Sequence, residues 1–415
     1  MEWNIVKKLL ILGAGLAGTM AANRLRRLLD PERWEITIVD QDDQHVYQPG
    51  LLFIPFGMYG ADDVIRPRRG FIPAGVDLVI APIEGVDTER QVVTVGGGRL
   101  LEYDELIIAT GTHPRPDQTP GLDGEAWRDT IHDFYTLDGA VALGRRLSRW
   151  EGGSLVINVM ELPFKCPVAP LEFAFLADWC MQRNGKRDSV DITYVTPLSG
   201  AFTKPVASQR LGHLLEDKKI GLETDFYPER VDADRSVLVS YDEREVPYDL
   251  LVTIPVNMGA DFVGDSGLGD ELNHIPVDRS TFAASGHENI YALGDVAELG
   301  TSKAGSVAHF ASEVFTENFM RRLRGLDPLE EFDGHANCFI ESGFGKAMLI
   351  DFNRDTEPLH GKFPLPGVGP FTLLGETEMN HWGKLMFRWT YWNILLKGKD
   401  LPLPSRMLLA GKESA

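Results

Sequence analysis

The sequence predicts an α/β fold of two Rossmann-like units, one inserted into the other, followed by a C-terminal cap and an amphipathic tail. Three observations predict it. An apolar strand near the N-terminus runs into a glycine turn, a helix and a second strand that ends in an acid. A second strand-and-helix unit follows in the middle of the chain, without any glycine turn. Two further strands end in Ala109-Thr110-Gly111 and in Gly294-Asp295, one on each side of that middle unit.

A chain of 415 residues exceeds one hydrophobic core and calls for two to three domains. Its 43% hydrophobic and 25% charged residues are those of a water-facing globular protein. A formal charge of −20 excludes nucleic acid as a partner, because no basic surface is there to displace counterions from phosphates. Three cysteines are too few for a disulfide-stapled secreted scaffold. Lys7-Lys8 ahead of Leu9-Leu10-Ile11-Leu12 has the look of a signal peptide, but the apolar run is short and enters a glycine turn at Gly13. No stretch approaches the roughly 18 uninterrupted apolar residues of a membrane-spanning helix. The expected location is cytoplasmic, or on a membrane from that side.

In the first unit, Gly13, Gly15 and Gly18 form GxGxxG directly after the strand, and Ile36-Thr37-Ile38-Val39 leads to Asp40. Glycines serve a tight turn, backbone approach to a pyrophosphate, and close helix–strand packing. The helix N-terminus stabilises phosphate charge, and Asp40 can accept both ribose hydroxyls. Tyr103 to Gly111 is a strand closing on Thr110-Gly111, and Ile290 to Asp295 is a strand closing on Gly294-Asp295. Both resemble motifs of the two-dinucleotide-domain flavoproteins, in which the second Gly-Asp meets the ribityl or pyrophosphate region. Together they imply FAD.

The middle unit breaks the pattern. Ser154 to Val159 runs into Met160-Glu161-Leu162-Pro163-Phe164-Lys165-Cys166, where side chains would crowd a pyrophosphate and Pro163 removes a donor. The next strand ends in Thr196-Pro197, without an acid for an NAD ribose. The unit is expected to keep the fold and lose the nucleotide. A cysteine stands where the electron donor would bind.

At these residues the chain resembles the sulfide:quinone oxidoreductases and the flavoprotein subunit of flavocytochrome c sulfide dehydrogenase, over nearly its whole length. The resemblance implies two redox cysteines, Cys166 in Cys166-Pro167-Val168-Ala169-Pro170-Leu171-Glu172 and Cys338 in Cys338-Phe339-Ile340-Glu341. It also implies Glu172 as proton acceptor beside the sulfur chemistry. Ser302-Lys303-Ala304-Gly305 resembles the family's Lys-Thr-Gly segment, which puts Lys303 near the flavin. The implied reaction is oxidation of sulfide, or a related sulfur donor, to zero-valent sulfur or polysulfide through a Cys166–Cys338 disulfide. Electrons then pass through FAD to quinone. Three departures refine this. Asp133 to Leu137 lacks a further cysteine found in many members, and no cysteine precedes Cys166 to tether the flavin, so non-covalent FAD is expected. Cys180 falls on an apparent helix and is given no role.

From His381 to Lys412 the chain carries six basic residues and one acid, with Trp382, Phe387, Trp389, Tyr391 and Trp392 among them. Rings and lysines together suit a membrane interface, and the resemblance implies that this tail also lines the quinone pocket. Phe344, Phe387 and Tyr391 are the expected quinone neighbours. His309, His335 and His381 lack metal-ligand spacing, so no metal is expected. The flavin unit is expected at 1–120 and 265–330, the middle unit at 145–260 and the cap at 331–415. Phe363-Pro364-Leu365-Pro366-Gly367 and Leu401-Pro402-Leu403-Pro404 read as surface loops. The alternatives are a type II NADH:quinone dehydrogenase, a cytochrome-partnered flavocytochrome subunit, and a non-catalytic flavin-binding sensor or interaction protein. Oligomeric state stays open, a homo-oligomer included.

Overall fold

The computed structural model describes residues 6–329 and 331–413. The apolar run Lys7–Leu12 is the middle strand of a five-stranded parallel sheet. The spatial order is Ile290–Ala292, Glu105–Ile108, Lys7–Leu12, Trp34–Asp40, Asp77–Ile80. Leu12 lies opposite Val39 on one side and Ile108 on the other. That register brings Gly13, Asp40, Thr110 and Gly294 to one edge of the sheet. The chain leaves the central strand toward one neighbour and returns later on its other side. An open parallel sheet offers its ligand crevice at such a reversal.

Helix Leu16–Leu28 starts from Gly15 and packs along helix Gly305–Leu323, where Arg24 Nη2 meets Glu313 at 3.2 Å. Gly18 sets how close the helix comes to the strand. A Cβ there would stand 1.9 Å from the Gly13 carbonyl oxygen, and Gly13 itself adopts φ +92. No side chain fits at either place without moving backbone.

The middle unit is a second five-stranded parallel sheet, ordered Ile131–His132, Leu250–Ile254, Gly153–Val159, Val190–Val195, Gly221–Glu223. Helix Ala169–Arg183 crosses between it and the third sheet, whose strands include Ala336–Gly343, Lys346–Phe352, His360–Leu365 and Gly369–Leu373. The segment from Phe363 expected as a loop is therefore partly a strand, because Phe363 and Pro364 pair with Phe371 and Pro370. The turn lies beyond Leu365. Helix Glu378–Thr390 is capped by Thr377, whose hydroxyl accepts from Asn380 N at 3.1 Å, and it lies across this sheet. Gly383 lets it sit close, since a Cβ there would meet the Phe371 ring at 2.5 Å and the Phe339 ring at 2.8 Å.

The tail divides into two kinds of residue. Met379, Trp382, Met386 and Trp389 form an exposed apolar stripe along that helix, while Tyr391 and Trp392 are buried, Trp392 stacked on Phe71 at 5.3 Å. Lys412 is buried against Asp351 and Lys384 faces inward, so two of the six basic residues expected at a lipid surface serve the interior instead. Among the described residues, no helix is long and apolar enough to cross a membrane.

Substituting Gly18→Ala should lower stability by about 1–3 kcal/mol, the usual cost of overpacking, and weaken retention of bound flavin. Thermal melting with flavin fluorescence reads both effects. An unchanged melt with full retention would show that the helix can slide away from the strand.

Candidate active site

The shared edge of the first sheet opens on a cleft of about 620 Å³, within the usual size of ligand sites. Gly13, Gly15, Asp40, Thr110, Gly111, Gly294, Asp295 and Lys303 line it, so of the residues read from sequence as cofactor contacts only Gly18 lies behind the wall. Two features fit a pyrophosphate-bearing ligand. A Cβ at Gly15 would meet nothing within 4 Å, which leaves its backbone open to the cleft. The buried Thr110 Oγ1 has no partner in the protein. Asp40 is less free than expected. Its Oδ2 accepts from Ala14 N at 2.7 Å and lies 3.0 Å from Arg68 Nη1, and its Oδ1 accepts from Gln41 N at 2.8 Å. Burial pushes the Asp40 carboxyl up while Arg68 opposes that shift. A carboxylate has about four acceptor positions, so capacity for a ribose remains.

Cys166 enters the cleft from the middle unit. It sits at φ +52 in a loop held from both sides. Its N–H donates to Lys303 O at 2.7 Å, and its carbonyl accepts from Ala169 N at 2.9 Å and Tyr135 Oη at 3.2 Å. The missing glycine turn is thus replaced by a loop whose backbone is bonded to the first unit. Lys165 completes it, donating Nζ to Thr112 O at 3.2 Å.

Helix Ala169–Arg183 begins at once and places Glu172 in its first turn, fully buried and lining the cleft. Its Oε1 accepts from Lys384 Nζ at 2.7 Å and from Glu341 N at 2.8 Å. Its Oε2 is buried with no partner. Burial pushes the Glu172 carboxyl up, with Lys384 pulling the other way. Lys384 ends with its pKa raised: burial lowers it, and the charges of Glu172 and Cys166 outweigh that. Burial also pushes the Cys166 thiol up to about 12, helped by Glu172 and opposed by Lys384. Cys338 stands on strand Ala336–Gly343, its thiol raised by burial and next by the neighbouring charge of Cys166. Both thiols are free in this structure. Two thiols, a carboxyl with one partnerless oxygen and a lysine therefore lie close together, a set suited to sulfur exchange with local proton transfer.

The family described as pyridine nucleotide-disulphide oxidoreductase matches residues 7–151. The type II NADH:quinone oxidoreductase of Staphylococcus aureus is 28% identical over 388 residues, covering 86% of this chain and 92% of that protein. The mitochondrial sulfide:quinone oxidoreductase of Mus musculus is 23% identical over 398 residues, covering 94% and 86%. The solved sulfide:quinone oxidoreductase of Aquifex aeolicus superposes with a TM-score of 0.81 at 19% identity, covering 95% and 92%. Over nearly its whole length the chain is similar to sulfide:quinone oxidoreductases, and its cofactor is FAD.

In this flavoprotein, Phe387 and Tyr391 reach the cleft wall, with Tyr391 Oη 2.8 Å from His45 Nε2. Phe344 does not. It lies in the turn after strand Ala336–Gly343, half exposed, under Lys218 Nζ at 4.9 Å from its ring, and is withdrawn as a quinone neighbour. Lys303 donates to Asp295 O at 2.8 Å and stands 3.6 Å from Glu298. Lys384 was missed as a site residue because its sequence setting, among aromatic and basic residues, matched a lipid-facing helix. Its i+3 spacing from His381 was the available signal. Lys165 was missed because a lysine beside a cysteine carries no motif of its own. Cys180 sits half-buried on the middle helix with Asn184 Nδ2 at 3.6 Å. A group of possible metal ligands, Asp270, His274 and Glu298, was not foreseen, and the Lys303 ammonium adjoins it.

Replacing Lys384 with Met should destabilise the flavoprotein by about 3–5 kcal/mol, because it leaves Glu172 buried without its cation. The double variant Lys384→Met/Glu172→Gln should recover part of that loss in urea unfolding. Equal losses in the two variants would mean that the pair is not coupled.

Proposed function

We propose that the protein oxidises sulfide at Cys166 and Cys338 and passes the electrons to membrane quinone. The observation that carries this reading is the placement of Cys166 and the one-sided carboxyl of Glu172 on the wall of the flavin cleft, with Cys338 and Lys384 beside them. Its relatives named sulfide:quinone oxidoreductase support the substrate pair. In the oxidised state the two cysteines would be bridged. HS⁻ attacks one Sγ, a sulfur–sulfur bond forms to that cysteine, the Cys166–Cys338 bond breaks, and the electron pair leaves on the other Sγ. The S–H proton of the new persulfide passes to Glu172 Oε2, which has no competing partner. Bound FAD would supply the two-electron redox step between the reduced sulfur and quinone. Gly15, Thr110 and Asp40 would hold its pyrophosphate and ribose side. Lys303 would balance negative charge on its ring system.

Phe387 and Tyr391 bring the tail helix to the cleft, and that helix turns its other face outward with Met379, Trp382, Met386 and Trp389. This reading makes the stripe the membrane contact and the helix the wall through which quinone reaches the cleft, with peripheral binding from the cytoplasmic side. The similarity to a type II NADH:quinone oxidoreductase favours one second reading, NADH as donor. Against it stands the glycine-free loop at Met160 to Cys166.

Two measurements test these assignments. Cys166→Ser or Cys338→Ser should abolish bleaching of the flavin by sulfide under anaerobic conditions, and NADH should bleach neither the parent nor the variants. Rapid bleaching by sulfide in either variant would overturn the thiol scheme. Trp382→Ser/Trp389→Ser should lower co-sedimentation with anionic vesicles severalfold while turnover with a soluble quinone persists. Unchanged vesicle binding would remove the stripe as the membrane contact.

A further inference from the structure

Oxidation of HS⁻ to the zero-valent level releases two electrons and one proton, whereas quinone takes up two electrons and two protons. One proton per turnover must therefore come from solvent. Glu172 is fully buried, so a proton that reaches the cleft through it has to be conducted by the protein.

His381 and Lys384 lie on the same face of helix Glu378–Thr390, one turn apart. Phe339 and Glu341 lie on the same face of strand Ala336–Gly343. The two faces meet. His381 Nδ1 is 2.8 Å from Glu341 Oε1 and 2.9 Å from Oε2, while Lys384 donates to Phe339 O at 3.0 Å and to Glu172 Oε1 at 2.7 Å. Glu341 N donates to that same Glu172 oxygen at 2.8 Å. The Glu341 side chain keeps 1% exposure and that of His381 keeps 14%. Glu172 and Lys384 line the cleft, and His381 and Glu341 do not. His381 is thus the member of the group that lies off the cleft and keeps some solvent exposure.

We infer that His381 and Glu341 form the outer half of a proton route that runs through Lys384 and Glu172 to the cleft. A solvent proton bonds to His381 Nε2, and the Nδ1 proton passes to the Glu341 carboxylate. Lys384 hands a proton to Glu172 and is replenished from Glu341, and Glu172 Oε2 releases it into the cleft. The charged groups facing His381 are Glu341 across the interface and Glu378 on its own helix. Those facing Lys384 are Glu172, Cys166 and Glu341. The hydrogen bond that His381 donates to Glu341 raises the imidazole above its ordinary 6.5, against the opposing effect of burial. The imidazole thus keeps its charge to higher pH than a free histidine and loses its proton as pH rises through that raised value.

This inference rests on the sulfide:quinone reading. The test reduces the FAD-loaded protein with sulfide anaerobically, mixes it with a soluble quinone, and follows flavin absorbance from neutral to alkaline pH. In the parent, reoxidation should fall as His381 loses its proton. In His381→Gln it should be at least about tenfold slower at neutral pH, lack that inflection, and recover with imidazole in the buffer, while bleaching by sulfide keeps its rate. Unchanged reoxidation, or slowing that imidazole does not relieve, overturns the route. Histidine NMR titration gives a readout independent of turnover, because Glu341→Gln should drop the His381 pKa, and an unmoved pKa also overturns it. If sulfide fails to bleach the parent flavin, the sulfide reading falls first, whatever the NMR shows.

Discussion

Glu172 can stay in the interior only because three segments distant in sequence converge on it. An isolated carboxylate loses several kcal/mol of hydration on burial, and a lysine and a backbone N–H must replace the water. Lys384 comes from the tail helix, the N–H from the strand that carries Cys338, and Glu172 from the helix that follows Cys166. Satisfying one charge thus brings the two cysteine-bearing segments to a common locus. The same bond fixes the tail helix, whose opposite face is left apolar and open. The exception is its Oε2, which is buried without a partner.

A second constraint is the register of the first sheet. Parallel strands that end level deliver all their C-terminal turns to one edge. Gly13, Thr110 and Gly294 belong to turns scattered through the chain, yet each follows a strand aligned with Lys7–Leu12 or its neighbour. The middle sheet has the same parallel build, but its first turn is filled. Cys166 N bonds to Lys303 O where a nucleotide-binding unit would keep bare backbone. The residues that fill this turn are the ones that carry a thiol to the cleft.

Much of this was legible because strand, glycine turn and acid are local signals. The first sheet, the cofactor wall, the missing glycines and the two cysteines with Glu172 could all be named from residues. Asp40 was placed correctly on that wall, but its partner Arg68 belongs to a separate loop and left no trace in the motif. Phe344 misled because an aromatic residue after the second cysteine looks the same in sequence whether its turn points to the cleft or to solvent. Lys384 and Lys412 misled in the opposite way, since a basic residue in an aromatic-rich tail reads as lipid-facing when its carboxylate partner is 212 or 61 residues away.

Sequence by itself determined the order of elements, the flavin-type turns and the absence of a second one, since each is written in contiguous residues whose backbone demands are local. It also located Cys166 and Cys338, the two cysteines that the resemblance singles out. Tertiary structure alone decided which charges meet: Glu172 with Lys384, Glu341 with His381, Asp40 with Arg68. Burial sets their protonation, and burial depends on how sheet, middle helix and tail helix pack together. No window of sequence contains that packing.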